Sequence, residues 1–93
     1  VAVVTGSGSL WSNAFSVVGD LGPGNQLVVS NGGVVFADTA VYVGFNAAST
    51  NNRLVVDGGT LRTTNFSGTS VLDVRRGTNV LNAGLVEVDQ LLL

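Results

Sequence analysis

A chain of 93 residues has room for one small domain, and at 45% hydrophobic against 11% charged it holds too much apolar surface to stay disordered. No cysteine is present, which excludes disulfides and thiolate metal sites. Histidine and lysine are also missing, and four arginines against six acids leave a net charge of −2, so no basic footprint for a nucleic acid exists. Abundant Val, Thr, Gly and Asn favour strands over helices, and nothing approaches the roughly 18 consecutive apolar residues of a membrane span.

In chain order, the first expected element is the strand Val1-Ala2-Val3-Val4, with no basic region of a signal peptide before it. A turn at Gly6 and Gly8 leads into a strand at Leu10-Trp11. This opening superficially matches the glycine-rich turn of a dinucleotide site. Trp11 stands where the third glycine is needed, however, and neither an amphipathic helix nor a ribose-binding acid follows. Val17-Val18-Gly19 reads as a strand entering a turn. Residues 25–36, NQLVVSNGGVVF, then give strand, glycine turn and strand, and Tyr42-Val43-Gly44 gives a third strand before an Asn/Ser/Thr-rich loop. The block returns as NRLVVDGGTLR at residues 52–62 and starts again at Asn79-Val80-Leu81, after a strand at Val71-Leu72-Asp73-Val74-Arg75-Arg76. Leu91 to Leu93 form a last apolar strand.

The chain therefore repeats itself at a shift of 25 to 27 residues, with approximate units 1–24, 25–51, 52–78 and 79–93. Asn25, Asn52 and Asn79 are 27 apart, as are Leu27, Leu54 and Leu81, whereas Gly59 to Gly84 and Leu61 to Val86 obey a shift of 25. With no helix to make crossovers, such units can coil into a parallel solenoid or fold into antiparallel hairpins, for which Asn31-Gly32 is a turn signal. Coiling alone explains why like residues share a phase, since it stacks them about 4.8 Å apart. The expected fold is an all-β, right-handed parallel β-solenoid of about 3.5 coils. Val4, Val29 and Val56 form one expected inward column, and Leu10, Val35, Leu61 and Val86 another, at roughly 1.5–3 kcal/mol per fully buried side chain. Asn25, Asn52 and Asn79 are expected to stack as an amide ladder. Gly33, Gly59, Gly19 and Gly44 are placed at corners that need positive φ or the absence of a Cβ.

The pattern NxLVVxxGGxL, followed by the Val-Tyr-Val-Gly strand and a polar loop, resembles the passenger-type β-helix repeats of bacterial autotransporters and related surface proteins. The likeness spans nearly the whole chain and departs from it after Gly68. It implies an extracellular or cell-surface location and a structural or adhesive role.

Parallel β-helices also carry polysaccharide-cleaving enzymes, which need clustered carboxylates or calcium. Here Asp20, Asp38, Asp57, Asp73, Glu87 and Asp89 fall at different phases, and only Glu87 and Asp89 are neighbours. No catalytic, metal or cofactor residue is therefore expected. Threonines at no constant phase argue against an ice-binding face. Arg53, Arg62, Arg75 and Arg76 read as solubilising surface groups, with Arg62 on the rung between Phe36 and Glu87. Trp11 and Phe36, read at one outward phase, form with Arg62 the candidate contact for a glycan or a neighbouring subunit. The apolar ends, Val1 and Val3 at one and Leu91 and Leu93 at the other, lack a polar cap and point to self-association or continuation of the chain into a longer array or filament. Leu54→Ala is expected to cost about 2–5 kcal/mol and Arg75→Ala no more than about 0.5 kcal/mol.

Overall fold

The computed structural model describes residues 1–92, which contain eight strands and no helix. These are β1 (Ala2–Thr5), β2 (Leu10–Val18), β3 (Gln26–Ser30), β4 (Val34–Val43), β5 (Asn52–Thr63), β6 (Val71–Val74), β7 (Gly77–Val88) and β8 (Gln90–Leu92). Every pairing between them is parallel. The fold is the parallel β-solenoid that the repeats imply. Asn31 (φ 49°) and Gly32 (φ 82°) do adopt the left-handed backbone of a hairpin turn, closed by the Gly33 N–H donating to the Ser30 carbonyl at 2.9 Å. The turn nevertheless joins two faces of the coil instead of two antiparallel strands.

The long strands bend, so each turn of the chain presents three faces. The first face stacks β1, β3 and the leading halves of β5 and β7. On the second, the leading halves of β2 and β4 meet the trailing halves of β5 and β7. The third is built from the trailing halves of β2 and β4 with β6 and β8. Following one column, Ala2 pairs with Leu27, Leu27 with Leu54 and Leu54 with Asn79, which makes three full turns and a final partial one.

Alternation along each strand sends every second side chain inward. Val29, Val35, Val41, Val43, Leu54, Val56, Leu61 and Leu72 are completely buried and form one core along the axis. Val4, Val29 and Val56 share a column, as expected. At the corner between the first and second faces, a Cβ on Gly59 would lie 2.7 Å from the Gly33 carbonyl oxygen, so two backbones touch where a side chain would stand. Gly19 (φ 86°) and Gly44 (φ 75°) meet the other requirement, a left-handed turn.

The register corrects two sequence expectations and fixes the phase of the last turn. Leu10 pairs with Val34, so the inward column over Val35, Leu61 and Val86 is headed by Trp11. The last turn follows the shift of 25, which puts Asn79 beside Leu54 and Gly77 beside Asn52. Asn79 therefore does not stack with Asn25 and Asn52, and no amide ladder forms. Instead the Asn25 backbone N–H donates to Asn52 Oδ1 at 2.9 Å, and Asn52 Nδ2 donates to the Ser49 carbonyl at 2.8 Å. Asn52 is a buried clasp for two loops, a role that its two neighbours in the sequence repeat do not share.

After Gly68 the departure from the repeat has a simple geometry. Residues 64–70 form an extra loop at the corner before the third face, so that Val71 pairs with Ala40, 31 positions back. At the following corner the connections 19–25 and 44–51 of earlier turns shrink to Arg75 and Arg76. Insertion and deletion cancel, and the first face regains its register. One acidic residue fastens the added loop: Asp89 Oδ2 accepts the backbone N–H groups of Asn65 at 2.9 Å and Ser70 at 3.2 Å.

Candidate functional site

The outward side of the third face brings several aromatic side chains together with charged ones, whereas the second face carries Phe36, Arg62 and Glu87 in a single column. Strand alternation turns Val17, Tyr42, Asp73 and Leu92 outward on one column, and Phe15, Ala40, Val71 and Gln90 on the next. Past the strand end, the left-handed Gly44 turns the chain so that the Phe45 N–H donates to the Gly19 carbonyl at 3.0 Å. The Phe45 ring then packs edge-on against Tyr42, with centroids 5.0 Å apart and planes at 72°.

Arg75 closes this cluster from below. Its guanidinium lies 5.2 Å from the Tyr42 ring centre and 5.0 Å from that of Phe45, and Nε donates to Asp73 Oδ2 at 2.8 Å. The Asp73 side chain is only 9% exposed, against 42% for Arg75. Arg76 donates to the Phe45 carbonyl at 3.0 Å. On the other side of the rings, Asp20 is held by Asn46, whose Nδ2 donates to its carboxylate at 2.7 Å and its carbonyl at 2.8 Å, and by the Ser49 hydroxyl. Between these groups lies an open groove of about 420 Å³ lined by Phe15, Val17, Asp20, Thr39, Tyr42 and Phe45.

A second depression, of about 480 Å³, opens at the N-terminal end of the stack among Ala2, Trp11, Asn13, Val18 and Leu27. Trp11, 41% exposed, belongs to this end and heads an inward column. It does not share a column with Phe36, which lies beside Ser12, and the expected outward Trp11–Phe36 contact surface is not formed. Phe36 does share its column with Arg62 and Glu87. Arg62 Nε comes within 3.3 Å of Glu87 Oε1, although its N–H finds no acceptor in hydrogen-bonding geometry. The arginine-over-ring contacts among the described residues belong to Arg75. Val1, Val3 and Leu91 are exposed at the ends, while Leu93 lies outside the described residues.

Glu87 and Asp89 are drawn apart, one to Arg62 and the other to the inserted loop. Among the described residues no three acids, histidines or cysteines gather in a way that could hold a metal ion. Sequence reasoning missed the cluster of Phe15, Asp20, Tyr42, Phe45, Asp73 and Arg75. A partial signal was present: Val17-Val18-Gly19 aligns with Tyr42-Val43-Gly44, which already places Tyr42 outward one rung from Val17 and beside Phe15. Comparison with known proteins found no matching family, no similar curated protein and no similar solved structure.

Proposed function

We propose that this chain is a segment of a structural or adhesive β-solenoid, outside the cell or on a bacterial surface, whose turns stack end to end into a longer array or filament. The observation that carries the reading is the behaviour of single columns along the axis. Val29 and Val56 are 0% exposed, while their register mates at the ends, Val4 and Leu81, are partly buried and 52% exposed. Leu72 is likewise 0% exposed and its mate Leu91 50%. Side chains of inward phase thus reach solvent only in the outermost turns, beside strand edges whose backbone groups lack a partner.

In a parallel stack the lower edge of one turn complements the upper edge of the next, so contact between two copies is heterologous and propagates without closing. The cell-surface setting rests on the resemblance of the repeats. No reaction is assigned: Asp89 and Asp73 are engaged in holding the fold, and Glu87 faces Arg62 across 3.3 Å.

Light scattering and electron microscopy of the purified chain over a wide concentration range test the reading. Mass should grow with concentration, with elongated particles at the upper end. A folded, monodisperse monomer at the highest concentration overturns it.

A further inference from the structure

We propose that the groove on the third face is a subsite for a neutral sugar unit of a glycan. The groove spans the first two turns on the side of the prism, and Phe15 and Val17 also line the depression at the N-terminal end; the inference is drawn from the groove's side-chain chemistry and not from the stacking reading. Three observations carry it.

First, the lining is an aromatic platform on a rigid sheet. Phe15 is 60% exposed on the outermost strand β2, and Tyr42 and Phe45 of the next turn stand beside it as an edge-on pair. The C–H groups on one face of a sugar ring carry slight positive charge and complement the negative face of an aromatic ring. An exposed cluster of this kind on an otherwise regular surface marks a contact site.

Second, the polar groups lie where hydroxyls would need them. Asp20 is fixed by Asn46 and Ser49, and Thr39 lines the same groove from the neighbouring turn. Apolar walls with a few oriented polar groups are what small-molecule sites combine.

Third, charge and size select the ligand class. Around the rings stand two carboxylates, Asp20 and Asp73, and two guanidiniums, Arg75 and Arg76, a local balance of zero. An organic cation would meet the ring pair where Arg75 already sits, and a polyanion would meet Asp20. About 420 Å³ lies in the range of small-molecule sites.

Isothermal titration of the 93-residue chain with cellohexaose, xylohexaose and maltohexaose tests the assignment, with tetramethylammonium chloride and hexagalacturonate as charged probes. At least one neutral hexaose should bind saturably and more tightly than either charged probe. Phe15→Ala should weaken that binding at least tenfold, while Leu10→Ala, an exposed site on the second face, leaves it unchanged. If Phe15→Ala fails to fold, Asp20→Ala replaces it, with a loss of at least threefold expected. The proposal is overturned if no neutral hexaose binds, if a charged probe binds more tightly, or if the folded groove variant binds like the unaltered protein.

Discussion

The first and third faces of this solenoid obey the same rule on the inside and opposite rules on the outside. On the first, the outward column reads Val3, Val28, Val55 and Val80, the same residue on four successive rungs. On the third it reads Val17, Tyr42, Asp73 and Leu92, a change of chemistry at every rung. Repetition gives the first face a self-packing ladder in which even the outward Val55 is buried. Divergence gives the third face a groove, two rings packed edge-on and an ion pair whose carboxylate is shielded. The repeated face keeps one chemistry on every rung, and the divergent face changes its chemistry without losing the coil.

The comparison breaks most visibly at Leu54, in the middle of the repeated face. Its side chain is fully buried between Leu27 above and Asn79 below, and truncation leaves a cavity that rigid neighbouring turns cannot fill. Leu54→Ala should cost about 2–5 kcal/mol in urea unfolding, whereas Leu81→Ala, of the same phase in the last turn, should cost under about 1 kcal/mol. Equal losses would show that the two turns are buried alike in solution.

The corner of that face comes next. In Gly59→Ala the new methyl meets the Gly33 carbonyl and Val29 at 2.7 Å each, so adjacent turns must part. Overpacking of this kind costs about 1–3 kcal/mol, and thermal melts should show it. A melting temperature equal to that of the unaltered protein would mean that the corner gives way freely.

Legibility in the sequence divides along the same line. The first face could be read because identical residues recur at 27 and 25, and the inward phase of Leu27, Val29, Leu54 and Val56 followed at once. Only its last turn was ambiguous: Asn79 copies Asn25 and Asn52 in type while lying two residues out of register with them. The second face was read one residue off at its start, because Leu10 and Trp11 are both apolar and nothing local chooses which points inward. On the third face the shift of 31 conceals Val71–Val74 from any fixed period, and its chemistry comes from residues brought together by a loop insertion and a shortened corner. Asp73 and Arg75 are two apart in sequence and so look like a solvated charge pair. Only the rings of the turn above, Tyr42 and Phe45, convert them into a shielded one.

Arg75 is accordingly the third place to press. The expectation of at most about 0.5 kcal/mol, drawn from its charge alone, gives way to a larger one. Arg75→Ala removes a cation from two rings and strips an almost buried Asp73 of its charged partner. Loss of a charged hydrogen bond to a shielded group costs about 1.5–3 kcal/mol, discounted here because the arginine is partly solvated, so about 1–2 kcal/mol is expected in urea melts. Asp73→Asn in the Arg75→Ala background should recover part of it, since a neutral amide tolerates shielding better than an unpaired carboxylate.

Arg62 makes the smallest and sharpest test, because it matches Arg75 in residue type and in having an acid within reach, and differs in what surrounds the pair. Its partner Glu87 is 51% exposed where Asp73 is 9%, the contact is 3.3 Å where the other is 2.8 Å, and no ring takes its guanidinium. Coulomb attraction between two solvated groups is weakened by water and salt and opposed by the entropy of fixing two long side chains. Arg62→Ala should therefore cost no more than about 0.5 kcal/mol, and a double-mutant cycle with Glu87→Ala should return a coupling that vanishes in high salt. A salt-resistant coupling above about 1 kcal/mol would mean that packing along the Phe36 column, not charge, holds the pair, and the second face would then rank with the third as a built surface.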